Sequence, residues 1–103
     1  MLRARLWLLG GLNVVRVALT GPFLDELAEL SEGAADEVLR KLDLMASFPG
    51  VGSAVSNSFL VRAFGEGVLK IRAGEYDVFY CRKPRGDDEE VYVLSVIHQR
   101  RIR

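Results

Sequence analysis

Gly74-Glu75-Tyr76-Asp77-Val78-Phe79-Tyr80 and Val93-Leu94-Ser95-Val96-Ile97-His98-Gln99-Arg100-Arg101 are the stretches on which the fold turns. Both are rich in β-branched and aromatic residues, the composition of pleated, half-buried strands. Strands are expected over Tyr76 to Arg82 and Val91 to His98. Between them, Lys83-Pro84-Arg85-Gly86-Asp87-Asp88-Glu89-Glu90 reads as a charged turn whose geometry is set by its proline and glycine. Working upstream, Val68 to Ala73 ends at Gly74-Glu75, and Phe59 to Phe64 ends at Gly65-Glu66-Gly67, a connection of hairpin length. Four consecutive strands are therefore expected, preceded by an irregular loop from Gly50 to Ser58.

Further upstream the period changes. Phe23, Leu24, Leu27 and Leu30 recur at helical spacing, with Asp25, Glu26 and Glu29 on the opposite face. The helix begins after Thr20-Gly21-Pro22, where proline suits a first helical position. Ser31-Glu32-Gly33 interrupts it. A second stripe of Ala35, Val38, Leu39, Leu42 and Met45 runs to Ser47-Phe48-Pro49-Gly50. Val14 to Leu19, β-branched, is a strand ahead of both helices. The order is β-α-α-β-β-β-β, an α+β fold: a twisted antiparallel sheet with an N-terminal helical hairpin packed on one face. The other face is left for solvent or a partner.

The chain has 103 residues, enough for one compact core. Residues 13–103 read as a single domain, and residues 1–12 as an extension of uncertain structure in which Trp7 is a candidate partner contact or core residue. Arg3 and Arg5 before Leu6-Trp7-Leu8-Leu9 loosely imitate a secretory leader, but the run is short, broken by Gly10-Gly11, and lacks a cleavage pattern. No stretch reaches the ~20 apolar residues that cross a bilayer, so a cytoplasmic protein without a membrane is expected. The lone cysteine, Cys81, agrees with a reducing compartment and reads best as a packed thiol.

Net charge is zero, yet its distribution is uneven. Asp25, Glu26, Glu29, Glu32, Asp36, Glu37 and Asp43 make the helical segment acidic. Arg62, Lys70, Arg72, Arg82, Lys83 and Arg85, with Arg100, Arg101 and Arg103, make the second half basic. Local potential of this kind attracts polyanions even on a neutral molecule. With one histidine and one cysteine there is no metal-ligand spacing, and neither phosphate-binding glycine fingerprint is present, so no cofactor is expected.

A strand of the form G-x-Y-x-V-x-Y, a polar turn, and a final strand ending V-x-H-x-x-R resemble the C-terminal half of the RelE/ParE superfamily. Phe48-Pro49-Gly50 resembles its loop after the helical hairpin. The resemblance spans about residues 14 to 101. It implies the toxin of a type II toxin–antitoxin pair, neutralised by a cognate antitoxin in a hetero-oligomer, with either DNA gyrase or the ribosome and its mRNA as target.

The two targets ask for different residues. Ribosome-dependent RNA cleavage needs a base for the ribose hydroxyl, cations for the phosphate and a donor for the leaving oxygen. The candidates are Lys70, Arg72, Arg82, His98 and Arg100. Lys70 and Arg72 share one face of their strand by the two-residue period, and His98, the one histidine, is of the residue type best suited to general acid or base work. A binding poison of gyrase would instead use the exposed sheet, with Tyr76, Tyr80, Arg100 and Arg101 as contacts. RNA-cleaving relatives carry arginine after the first tyrosine of the strand motif, where this chain has Asp77. That departure inclines the reading toward gyrase, with the endonuclease and a non-toxic, repurposed member as alternatives.

Overall fold

The structure, a computed structural model, describes residues 3–9 and 13–101. Its elements are β1 (Arg3–Leu9), β2 (Asn13–Leu19), α1 (Gly21–Ala28), α2 (Glu32–Ser47), β3 (Ser53–Ala54), α3 (Ser58–Phe64), β4 (Leu69–Ala73), β5 (Tyr76–Arg85) and β6 (Asp88–His98), followed by a 3-10 turn at Gln99–Arg101. The strands form one sheet in the order β1-β2-β6-β5-β4-β3. Among the described residues no helix is long and apolar enough to cross a membrane.

The class is α+β, but three expectations are corrected. The sheet is mixed rather than antiparallel: β2 runs parallel to β6, Val17 lying opposite Val91, while the other pairings are antiparallel. Val15, Val17 and Leu19 are buried on the helix-covered face of β2, while Arg16 on the other face stays exposed. Phe59 to Phe64 is a helix, not a strand. Asn57 caps it, its side chain accepting the Phe59 and Leu60 N–H groups at 2.9 and 3.2 Å. Leu60 and Phe64, four apart, turn inward while Phe59 is 70% exposed. A six-residue run with five apolar side chains fits either period, and here the cap decides. Third, the loop from Gly50 to Ser58 contributes the two-residue β3 at the sheet edge. The opening segment, whose structure the sequence left open, supplies β1, which pairs along β2 from Arg3 opposite Leu19 to Leu9 opposite Asn13.

Two clusters hold the layers together. On one face, Phe23 of α1 and Val38, Leu42 and Met45 of α2 pack on Val17, Val78, Tyr80, Val91, Val93 and Val96. On the other, Leu60 and Phe64 of α3 cover Phe79, Val68, Leu94 and Ile97, with the Phe64 and Phe79 rings stacked at 5.2 Å. The second sheet face is thus partly roofed by α3 rather than bare.

The β5–β6 ladder shifts register between Phe79, opposite Ser95, and Tyr80, opposite Val93, so Leu94 forms a β-bulge. The start of α1 fastens this bulge. The Thr20 N–H donates to the Val93 carbonyl at 3.2 Å, and its hydroxyl points between the Val93 and Leu94 carbonyls at 2.8 and 3.3 Å. Thr20 also caps α1. One turn on, Glu26 Oε1 accepts from Ser95 Oγ at 2.7 Å and from the Val96 N–H at 3.1 Å.

Fully buried Tyr80 anchors the loop after α2. Its hydroxyl donates to the Pro49 carbonyl at 2.9 Å and accepts from the Gly52 N–H at 2.8 Å. Gly52 is required there, because a Cβ would stand 2.6 Å from that hydroxyl and 2.9 Å from the Lys70 carbonyl. Burial raises the Tyr80 phenol above its ordinary range, so it stays a neutral donor at physiological pH. Tyr80→Phe leaves both loop groups without their partner and should cost about 1–3 kcal/mol in chemical denaturation. A variant as stable as the parent would show that water replaces the phenol without loss.

Candidate functional site

The sheet divides the basic residues of the second half by strand parity. On β4, Leu69, Ile71 and Ala73 pack toward α1 and α2, so Lys70 and Arg72 occupy the α3 side. Opposite them on β5 are Phe79 and Asp77 respectively. Asp77 is buried, with Oδ2 3.5 Å from Lys70 Nζ and Oδ1 accepting from Gln99 Nε2 at 3.1 Å. With Ser53, these four side chains line an open depression of 470 Å³. Arg72 is exposed and donates from Nε to the Gly74 carbonyl at 3.1 Å.

His98 lies on the opposite face. It pairs with Tyr76 across the β5–β6 ladder, and the two rings meet edge to face at 5.0 Å. Tyr76 packs against the cluster beneath α1 and α2, and Val96, two residues before His98, belongs to it. His98 Nδ1 accepts the Arg100 N–H at 3.1 Å. Arg100 and Arg101 are exposed and, with His98 and Tyr76, form one side of a 440 Å³ groove whose other side is Glu26, Glu29 and Leu30 of α1. Arg103 lies outside the described residues.

Arg82 belongs to neither group. Six residues along β5 from Tyr76, it is roughly 20 Å from the His98 end of the ladder at strand spacing. Its guanidinium grips Glu89 through both Nε and Nη2, the second contact at 2.9 Å. That hydrogen bond to Glu89 raises its titration further, so it stays charged beside the carboxylate. Across from it, Lys83 sits over the Tyr92 ring at 5.5 Å and Arg16 is 4.0 Å from Glu90.

The candidates therefore occupy three places: Lys70 and Arg72 beside Asp77; His98, Tyr76, Arg100 and Arg101 around the end of β6; and Arg82 with Glu89. Tyr80 is in the core with its hydroxyl engaged. Sequence reasoning passed over Gln99 and Glu26. Gln99 could have been found by parity, since it stands two residues beyond Ile97, the partner of Asp77. Glu26 could not, because its contact depends on the bulge. Among the described residues no group of three His, Cys, Asp or Glu side chains is placed to hold a metal ion.

Cys81, half-buried on β5, is held in its thiol form. Burial pushes its titration up, partly offset by Lys83 and a backbone hydrogen bond with Tyr92. The thiolate is the reactive species, so labelling by a disulfide reagent at pH 7 should be slower in the native protein than in urea. The rate should climb only as pH passes the ordinary thiol range, about 8.5. Equal native and denatured rates at pH 7 would contradict this.

Compared with known proteins, residues 17–103 match the family model described as the ParE toxin of the type II toxin–antitoxin system, parDE. No curated protein matches the chain. The match runs from within β2 through the final basic turn and so takes in all three helices, the bulge and the candidate residues from Lys70 to Arg101. It carries with it a cognate antitoxin as partner. The chain belongs to the ParE toxin family, within the RelE/ParE superfamily of type II toxin–antitoxin toxins.

Proposed function

We propose that this toxin acts in the cytoplasm by binding DNA gyrase, that residues 13–103 are its single functional domain, and that its cognate antitoxin neutralises it. The observation that carries this reading is the dispersal of the basic residues. Cleaving RNA requires base, acid and phosphate-binding cations within hydrogen-bond reach of one phosphate. Lys70 and Arg72 are on one face of the sheet, His98 on the other, and Arg82 is at the far end of the ladder bound to Glu89. The Lys70 charge is further offset by Asp77. A binding poison needs no such convergence. Exposed Arg100 and Arg101 beside Tyr76 and His98 offer a compact surface of cationic and aromatic groups, a composition suited to protein recognition.

Expression of the chain alone should stop growth, with DNA damage appearing while translation is still intact. In a purified gyrase supercoiling assay, Arg100→Ala with Arg101→Ala should raise the half-inhibitory concentration about tenfold or more, the scale of losing interface hot spots. Early loss of translation with cleaved mRNA, cured by His98→Ala with Arg100→Ala, would instead establish an endoribonuclease. An absence of growth defect at equal expression would favour a repurposed family member.

A further inference from the structure

Asp77 is a carboxylate 6% exposed on a sheet face, and its two oxygens serve different partners. Lys70 Nζ approaches Oδ2 at 3.5 Å, and Gln99 Nε2 donates to Oδ1 at 3.1 Å. A buried charge is tolerated only when paired and hydrogen-bonded, so the three side chains depend on one another. Gln99 is the first residue of the turn that carries Arg100 and Arg101, and its own N–H donates to the Glu75 carbonyl at 2.9 Å. From the other face of the sheet, His98 Nδ1 accepts the Arg100 N–H. The turn is gripped on both sides.

We propose that Asp77 is a positioning residue: its carboxylate, oriented by Lys70, holds Gln99 and so sets the direction in which Arg100 and Arg101 leave the end of the sheet. Lys70, on this account, serves the C-terminal turn rather than a phosphate. The consequence for target inhibition rests on the gyrase reading; the latch itself does not. Asp77 is 22 residues from Gln99 in the chain, so a link between them is a tertiary device and not a local turn preference.

The test uses the full chain and amide hydrogen exchange at Gln99 and Arg100, alongside inhibition of purified gyrase. Gln99→Glu sets a second carboxylate against Asp77. Adding Asp77→Asn turns the 77 side chain into a donor facing Glu at 99 and restores the hydrogen bond with reversed polarity. Gln99→Glu should accelerate exchange at both amides about tenfold, the scale of one charge-assisted hydrogen bond, and weaken gyrase inhibition by a similar factor. The double variant should recover both, while exchange in β2 and α2 stays unchanged throughout. Should Gln99→Glu fail to fold, Gln99→Ala, which removes the donor without adding charge, should show the same faster exchange. Unchanged exchange at Gln99 and Arg100 in either single variant, or no recovery in the double variant, would overturn the latch. Wild-type protein that leaves gyrase unaffected would remove the gyrase reading, and the exchange measurements would still decide the latch.

Discussion

The attachment of α1 to the bulge in β6 is the contact on which the remaining geometry depends. A bulge disrupts the ladder locally and leaves backbone groups to be satisfied from elsewhere. Here Thr20 takes the carbonyls of Val93 and Leu94, and Glu26 takes the Val96 N–H with the Ser95 hydroxyl. Hydrogen bonds to a charged acceptor are worth about 1.5–3 kcal/mol each, more than neutral ones. The same Thr20 follows β2 and caps α1, so one residue couples the parallel pairing of β2 with β6, the exit of the chain from the sheet and the start of the first helix.

The bulge also sets which side chains face which way. With Leu94 unpaired, Val93, Val96 and His98 join the α1 and α2 side while Leu94 and Ile97 meet α3. A regular strand could not bury Val93 and Val96 on one face, since an odd separation places residues on opposite sides. His98 is thereby carried away from Lys70 and Arg72. The division of the basic groups, on which the functional reading leans, is in this sense a product of one inserted residue.

That explains how far the sequence could be read. The helices over Phe23 to Leu30 and Ala35 to Met45 were legible because long apolar stripes at helical spacing have few competing interpretations. The strands around Tyr76 and Val93 were legible from their β-branched and aromatic content. The placing of Lys70 and Arg72 opposite Leu69 and Ile71 followed from simple alternation. Other features were hidden for physical reasons. The short run Phe59 to Phe64 satisfies both periods, and the weight of Asn57 as a cap shows only once its side chain is seen accepting two N–H groups. The direction of β2 depends on which strand lies beside it, a long-range property. The relation of His98 to Lys70 needed the bulge, and that of Asp77 to Gln99 needed the register.

The parallel pairing of β2 with β6 has one more consequence, for how the molecule comes into being. β6 is flanked by β2 on one side and β5 on the other, yet it follows both in chain order. On a ribosome, β2 and α1 emerge early and must wait for their shared partner, since α1 packs on β6 and β2 pairs with it, until the last strand is made. Sheets closed by such distant partners form slowly, since loop-closure entropy precedes the gain. In a chain of this topology the sheet is completed only when its last strand is in place. A chain ending before β6 would lack the strand that joins β2 to β5, together with Val91, Val93 and Val96 of the core.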